Sequence, residues 1–339
     1  MTNVVNRYKT LASAMQSMAC NRWFVVVDEQ TRDACLPLVA ADLQFPIFVL
    51  PAGESAKTLD TLALLWDWLD KANASRDDAL ICVGGGAVCD VGGLAAATFK
   101  RGMRVLNVPT TLLSMTDAAW GGKTAINFNG KKNLIGVIRH PDGVVINLRF
   151  LQTLNAEQLS DGLAEMLKHG LIGDRKLWTA LLSGGVDAID ESLLWQSISV
   201  KERFVAQDVC DLNLRHALNF GHTFAHAFEA LARERQQHLS HGTAVAWGMV
   251  CALYLSVVEC AFPVDDMRQT LQFIQENFHP ATIECKDYDR LLQLMRSDKK
   301  NVQNQIRLVV LKSIEQPLID WQTSEETIKE AFDFLREGV

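Results

Sequence analysis

The 339-residue chain predicts two kinds of domain in series. Residues 1–150 read as an α/β N-terminal doubly wound, Rossmann-like domain, and residues 151–339 as a mostly α-helical C-terminal domain. Three observations predict this. In the first half, short β-branched runs alternate with amphipathic segments, the pattern of a parallel sheet with helices on its faces. One of those runs passes straight into three glycines and a helix of small residues. From about Phe150, apolar residues recur at helical spacing almost to the end. The length suffices for a full hydrophobic core in each part.

Taken in order, the expected strands are WFVVVDE (23–29), FPIFVLPAG (45–53), ALICVGGG (79–86), RVLNVPTT (104–111) and GVVINL (143–148). TLDTLALLWDWLDKANA (58–74) is an amphipathic helix between two of them. One late strand-like run, IRLVVLK (306–312), interrupts the helical half. Residues Thr243–Val258, TAVAWGMVCALYLSVV, form the longest apolar run. It is short for a membrane span and ends at Glu259, so it predicts a buried core helix. No linker rich in Pro, Gly or Ser marks the join near residue 150. Close packing of the two parts with a cleft between them is therefore expected.

Composition narrows the function classes. A net charge of −7 argues against nucleic-acid and anionic-membrane partners, which reward a basic surface. MTNVVNRYKT at the start has no apolar core of a secretory signal. The eight cysteines show no CxxC and no regular framework, as expected of reduced thiols in a cytoplasmic protein.

Two loops point to ligands. In ALICVGGGAVCDVGGLAAATF (79–99) the glycines permit a tight turn and close approach of backbone to a ligand. The following helix offers unpaired N–H groups to a phosphate. The same pattern also serves close helix packing, and it lacks the full GxGxxG spacing. Asp28, ending the first strand, is placed to accept from a ribose or to cap a helix. The stretch DAAWGGKTAINFNGKKNLIG (117–136) sets a glycine pair beside Lys123, followed by Lys132 and Asn133. It reads as backbone brought close to a small anion, or else as a solvated loop.

The helical half gathers histidines. HTFAH puts His222 and His226 at i, i+4, on one helix face. DGLAEMLKHG (161–170) adds Glu165, Lys168 and His169, and HLSHG (238–242) adds His238 and His241. His and carboxylate ligands suit a divalent ion with an open coordination position. Spacing alone leaves open which histidines bind.

With these segments assembled, the chain resembles the 3-dehydroquinate synthases, a family of sugar-phosphate cyclases. The segments carrying the likeness are PAGESAK (51–57), GGGAVCDVGGLAAATFKRG (84–102), VPTTLLSMTDAAWGGKTAIN (108–127), GKKNLIG (130–136), GLAEMLKHG (162–170), LNFGHTFAHAFE (218–229), HGTAVAWGM (241–249) and DKKN (298–301). The resemblance implies a cytoplasmic homodimer using NAD and one divalent metal, zinc or cobalt. It implies conversion of 3-deoxy-D-arabino-heptulosonate 7-phosphate to 3-dehydroquinate and phosphate, in the shikimate pathway. The steps are transient oxidation, phosphate elimination, reduction and intramolecular aldol closure.

The matching positions imply roles. Glu165, His222 and His241 are the metal ligands, and His226 serves the reaction instead. Asp28, Glu54, Lys57, Gly85, Gly86, Asp90, Thr110, Thr111, Lys132, Phe150 and Thr153 match cofactor positions. Lys123, Lys168, Arg215 and Asn219 join His226 as catalytic positions. Asp117, Lys132, Asn133, Lys201, Lys299 and Lys300 match substrate positions, and Arg101 matches an arginine that reaches the partner subunit's site. A substrate bearing a carboxylate and a phosphate needs many convergent cations. Departures from the family pattern are Leu154–Gln158, Ala225, Thr243 and the longer gap holding His238. The competing readings are another sugar-phosphate cyclase and a metal- and NAD-dependent polyol dehydrogenase.

Overall fold

The structure, a computed structural model, describes residues 5–40, 44–297 and 305–337. Lys299 and Lys300 lie outside the described residues. The chain divides into two compact units, Met1–Leu159 and Ser160–Val339.

The first unit is built on a six-stranded sheet. Its strands are β1 (Asn6–Tyr8), β2 (Trp23–Asp28), β3 (Ile47–Leu50), β4 (Ala79–Gly84), β5 (Arg104–Pro109) and β8 (Gly143–Val145). They pair in the order β1-β8-β5-β4-β2-β3, all in parallel. The five expected strands are present. β1 was not expected, and at three residues it is too short to show a period. Strands β2 and β4 are buried along almost their whole length, as continuous apolar runs covered on both faces should be. Chain order reverses between β2 and β4: the chain leaves β2 toward β3, and leaves β4 toward β5. Such a switch point opens a crevice at the carboxyl ends of the strands.

The Leu59–Lys71 helix packs Leu62, Leu65 and Leu69 into the core beside the sheet. The Gly86–Thr98 helix follows β4 and lies close to it. A Cβ at Gly92 would stand 2.3 Å from Cys82 Sγ on β4. Its small residues thus serve close packing, one of the two readings the sequence left open.

The stretch after Asp117 corrects an expectation. It forms an antiparallel hairpin, β6 (Lys123–Phe128) and β7 (Lys131–Ile138). Asn129 (φ 48°) and Gly130 (φ 72°) make the two-residue turn, the pairing that matches strand twist. The glycine beside Lys123 answers to the chain itself. A Cβ at Gly122 would lie 2.6 Å from the carbonyl carbon of Arg139.

The second unit is mainly helical. It contains the Glu191–Gln207, His222–Glu234 and His241–Cys260 helices, with an antiparallel pair β9 (Leu308–Ser313) and β10 (Gln316–Trp321). The Ala156–Gly173 helix enters it from the first unit. The His241–Cys260 helix is long and apolar enough to cross a membrane, yet 72% of its apolar window is buried. It is the central core helix of its unit.

Candidate functional site

The second unit assembles a compact group of metal-ligand side chains. Glu165 sits in the buried middle of the Ala156–Gly173 helix, 1% exposed. His222 and His241 are the first residues of their two helices. Those helices approach closely because glycines face each other: a Cβ at Gly248 would fall 2.2 Å from the Gly221 carbonyl oxygen. Gly221 itself turns at φ 78°. The His241 end is tied to the Glu165 helix by Asp161, whose Oδ1 accepts from the Gly242 N–H at 2.6 Å. A Cβ at Gly242 would meet the Asp161 Cα at 2.3 Å, so this junction requires glycine.

As a result, Glu165 Oε1 stands 3.2 Å from His222 Nε2 and 3.6 Å from His241 Nε2. One ligand atom from each of the three lies within 4.8 Å of the others. The remaining atoms are committed elsewhere. Glu165 Oε2 accepts from Lys168 Nζ. His222 Nδ1–H donates to the Phe220 carbonyl at 3.2 Å, which leaves Nε2 with its lone pair. His241 Nδ1 faces Glu229 Oε1 at 3.5 Å.

The electrostatics follow from this crowding. Burial opposes ionisation of Glu165, but the Lys168 ammonium and then His222 hold its carboxyl well below the usual range. Burial pushes His222 down to about 4. Burial also acts to lower His241, but Glu165 and Glu229 overcome it and raise the imidazole to about 10. The group therefore sets a carboxylate against two imidazoles whose protonation burial and the neighbouring carboxylates pull in opposite directions, a donor set an ion can bind in place of a proton.

His226 stands one turn beyond His222, with ring centroids 5.7 Å apart in an edge-on arrangement. It lies outside the ligand group among the described residues. His238 is on an exposed connection, and His169 turns to Ser197, with Nδ1 2.8 Å from Oγ. Lys168, Lys201 and Arg215 are all buried in this unit. Arg215 Nη1 donates to the Val209 carbonyl. Asn219 closes the short turn just before Phe220-Gly221-His222. Burying a cation is costly unless an anion meets it: Lys168 meets Glu165, and Arg215 Nε lies 4.0 Å from Asp211 Oδ1.

In the first unit, the residues matched to a cofactor follow the carboxyl ends of the parallel strands. Asp28 ends β2, Glu54 and Lys57 follow β3, and Gly85 and Gly86 follow β4. Thr110 and Thr111 follow β5, while Phe150 and Thr153 follow β8. Asp28 caps the Glu29–Ala34 helix: its Oδ1 accepts from the N–H groups of Gln30 and Thr31 and from Thr31 Oγ1. Thr31 Oγ1 also reaches the Val83 carbonyl at 3.1 Å, across the switch point. Gly85 caps the Gly86–Thr98 helix with no side-chain hydrogen bond, so the first N–H groups of that helix have no side-chain cap.

Lys57 is the hub of a further cluster. Nearly buried, it donates to Asp90 Oδ2 at 2.6 Å and to Asn133 Oδ1, with Glu54 Oε2 at 3.8 Å. Burial pushes the Asp90 carboxyl up to about 6 against the pull of Lys57. Phe150 is fully buried, and Thr153 Oγ1 donates to its carbonyl. Asp117 lies in the turn Ser114–Ala118. Lys123 and Lys132 are exposed on β6 and β7, and Arg101 is exposed on the turn after the Gly86–Thr98 helix.

Comparison with known proteins decides the lineage. Residues 47–161 match the model of the 3-dehydroquinate synthase N-terminal domain, and 162–301 that of the C-terminal domain. The chain belongs to the 3-dehydroquinate synthase family. Over 335 residues it is 41% identical to the 3-dehydroquinate synthase of Parabacteroides distasonis, covering 97% of this chain and 95% of that one. The fold is that of sugar-phosphate cyclases. A 2-epi-5-epi-valiolone synthase from Streptomyces hygroscopicus, solved with NAD+ and Zn2+, superposes with TM-score 0.86 at 24% identity, covering 99% and 97% of the two chains. A 2-deoxy-scyllo-inosose synthase, solved with carbaglucose-6-phosphate, NAD+ and Co2+, gives 0.83 at 24% identity, covering 99% and 96%.

Set within this family, two residues that sequence reasoning missed stand out, Glu229 and Asp161. Glu229 is seven residues after His222, and Asp161 is four before Glu165, so helical spacing alone held the signal. The departures from the family pattern also acquire structural roles. Asn155 and Gln158 hydrogen-bond reciprocally, side chain to backbone, at the start of the Ala156–Gly173 helix. Thr243 accepts from Ser240 Oγ beside His241.

Proposed function

We propose that this chain converts 3-deoxy-D-arabino-heptulosonate 7-phosphate to 3-dehydroquinate and phosphate, with NAD and one zinc or cobalt ion. The observation that carries this reading is the convergence of Glu165, His222 and His241 in a chain so similar to a 3-dehydroquinate synthase. The group fits an ion. It offers one carboxylate oxygen and two imidazole nitrogens, with the far nitrogens engaged and one carboxylate oxygen fixed by Lys168. The switch-point crevice fits a dinucleotide, with a helix start that no side chain caps at Gly85 and Gly86 for the pyrophosphate. Asp28 uses only Oδ1 for capping, so its second oxygen suits a ribose hydroxyl.

An ion held by Glu165, His222 and His241 would supply Lewis acidity toward a substrate hydroxyl, and NAD+ bound at the strand ends would supply a reversible hydride acceptor. The protein's part is to bind, orient and move protons. Lys168 keeps Glu165 ionised and its Oε1 turned toward the histidines. His226, beside His222 but outside the ligand group, serves the proton and phosphate side. Lys123, Lys132, Asn133, Lys201, Arg215, Asn219 and Asp117 hold the substrate, with Lys299 and Lys300. Charge-assisted contacts of this kind contribute roughly 1.5–3 kcal/mol each. Glu54, Lys57, Asp90, Thr110, Thr111, Phe150 and Thr153 shape the cofactor side.

Arg101 acts from the partner in a homodimer. The eight cysteines, all free thiols, suit a reducing cytoplasm. The test is phosphate release from the heptulosonate phosphate with trace NAD+. Release should stop with chelator and resume with zinc or cobalt, and NADH should not accumulate. Stoichiometric NADH build-up without phosphate release would mark a polyol dehydrogenase instead.

A further inference from the structure

The hairpin is regular except at one place. Its ladder pairs run in step from Lys123–Ile138 to Ile126–Ile135, and the next pair is Phe128–Lys131. Asn127 alone therefore stands opposite three residues, Lys132, Asn133 and Leu134. Such a bulge releases backbone from the ladder and re-aims side chains, often beside active sites. Asn133 lies in this bulge at φ 52°, a left-handed conformation that asparagine tolerates.

The Asn127 side chain takes the place of the interrupted ladder. Its Oδ1 accepts from the Asn133 N–H at 2.9 Å, and its Nδ2 donates to Glu54 Oε1 at 3.3 Å. The Asn127 N–H donates to the Lys57 carbonyl at 2.9 Å. One residue thus ties the bulge to the segment after β3. Lys57 closes the ring from the other side, because its Nζ donates to Asn133 Oδ1 and to Asp90 Oδ2.

The two sides of this ring serve different ligands. Glu54, Lys57 and Asp90 match cofactor positions, Asn133 matches a substrate position, and Lys132 matches both. Asn127 matches neither, yet it is one hydrogen bond from each side. A carboxamide suits that place. Among side chains this short, only asparagine presents a separate acceptor and donor on one planar group. Here the acceptor meets a backbone N–H and the donor meets a carboxylate. Aspartate, of the same size, would keep the first contact and set a second carboxylate against Glu54.

We propose that Asn127 is a positioning residue that couples the cofactor to the substrate. It acts through Glu54 and Asn133 and touches neither ligand itself. Its carboxamide keeps Lys132 and Asn133 in register with Glu54 and Lys57, so a dinucleotide seated at the strand ends also fixes the bulge that receives the sugar phosphate. The identity of the two ligands rests on the proposed function; the link from the bulge to Glu54 does not.

Exchanging donor and acceptor tests it. Asn127→Asp sets two carboxylates together, and Asn127→Asp/Glu54→Gln restores one donor and one acceptor in swapped order. By calorimetry, Asn127→Asp should weaken NAD+ binding about 10-fold, the scale of one lost hydrogen bond to a charged group. Its KM for the heptulosonate phosphate should rise while kcat stays nearly unchanged, the pattern of lost binding and not of lost chemistry. The double variant should bind NAD+ as tightly as Glu54→Gln alone and recover the KM. A residue that only supports the hairpin would not be rescued in this way. Hydrogen exchange reads the coupling directly. Saturating NAD+ should slow exchange across residues 131–138 in the wild type, and much less in Asn127→Ala.

Wild-type affinity for both ligands in Asn127→Asp, or a double variant no better than Asn127→Asp, overturns the positioning role. Equal slowing of exchange in the wild type and Asn127→Ala overturns the coupling. If the wild type binds NAD+ but releases no phosphate, the functional reading fails, while calorimetry and exchange still decide what Asn127 does.

Discussion

Glu229 Oε1 stands 3.5 Å from His241 Nδ1, while Nε2 of the same ring faces Glu165 at 3.6 Å. The imidazole is therefore held between two carboxylates, one on the ligand side and one behind. A carboxylate behind a metal-binding histidine fixes its tautomer and ring angle and raises its basicity. Glu229→Gln should weaken zinc or cobalt affinity about 10- to 100-fold while leaving the melting temperature of the ion-free protein nearly unchanged. Competition against a chromophoric chelator measures the affinity directly. Unchanged affinity would mean that Glu229 does not orient the ligand.

The two histidines of HTFAH should separate in function. His222 belongs to the ligand group and His226 stands one turn beyond it. His222→Ala should abolish both bound metal and phosphate release. His226→Ala should keep the metal and lose rate, by about 100- to 10,000-fold if it transfers a proton. Metal content by plasma spectrometry, measured beside turnover, distinguishes them. Equal loss of metal in both variants would overturn the ligand assignment.

How much of this was legible beforehand depends on where the physical signal lies. The parallel strands were readable because buried strands are continuous apolar runs, and β2 and β4 are buried on both faces. The hairpin was missed because lysines, asparagines and glycines suggested a ligand loop. The Asn129-Gly130 turn was the overlooked cue. By spacing alone the metal group was legible only as Glu165 and several scattered histidines, and the choice of Glu165, His222 and His241 came from the family resemblance. Its geometry depends on Gly221, Gly242 and Gly248, which let three helices approach within backbone contact. Close approach has no period in sequence. Glu229 and Asp161 escaped for the same reason, since each acts across to a different helix.

Asp78 provides a pH-dependent test of stability. It is buried, and its Oδ2 accepts from the Ser75 N–H at 2.7 Å and from Arg22 Nη2 at 2.8 Å. Burial alone would raise its pKa, but the Ser75 N–H and Arg22 together lower it. A depressed carboxyl contributes stability above its unfolded pKa, about 3.9, and that stability is lost as pH falls through the folded value. Asp78→Asn should therefore cost about 1–3 kcal/mol at pH 7. The deficit should shrink as pH drops below about 3.9. Urea unfolding of both proteins from pH 7 to pH 3 checks this, and a deficit independent of pH would show that the charge is not what stabilises.

The packing of the Gly86–Thr98 helix on β4 yields a test that involves no site residue. A methyl group at Gly92 would fall 2.3 Å from Cys82 Sγ, and both positions lie deep in the first unit, where nothing can move aside cheaply. Helix propensity favours alanine over glycine by about 1 kcal/mol, so propensity by itself predicts that Gly92→Ala stabilises. Overpacking costs about 1–3 kcal/mol and should win. Cys82→Ala removes the sulfur that the new methyl would strike, at the expense of a small cavity. The double variant Gly92→Ala/Cys82→Ala should then be more stable than the sum of the single effects, with a coupling of about 0.5–3 kcal/mol for residues in contact. Thermal unfolding of the three variants measures that coupling. Simple additivity would mean that the helix shifts away from β4 to accept the methyl, and that the glycine is not what sets the distance between helix and strand.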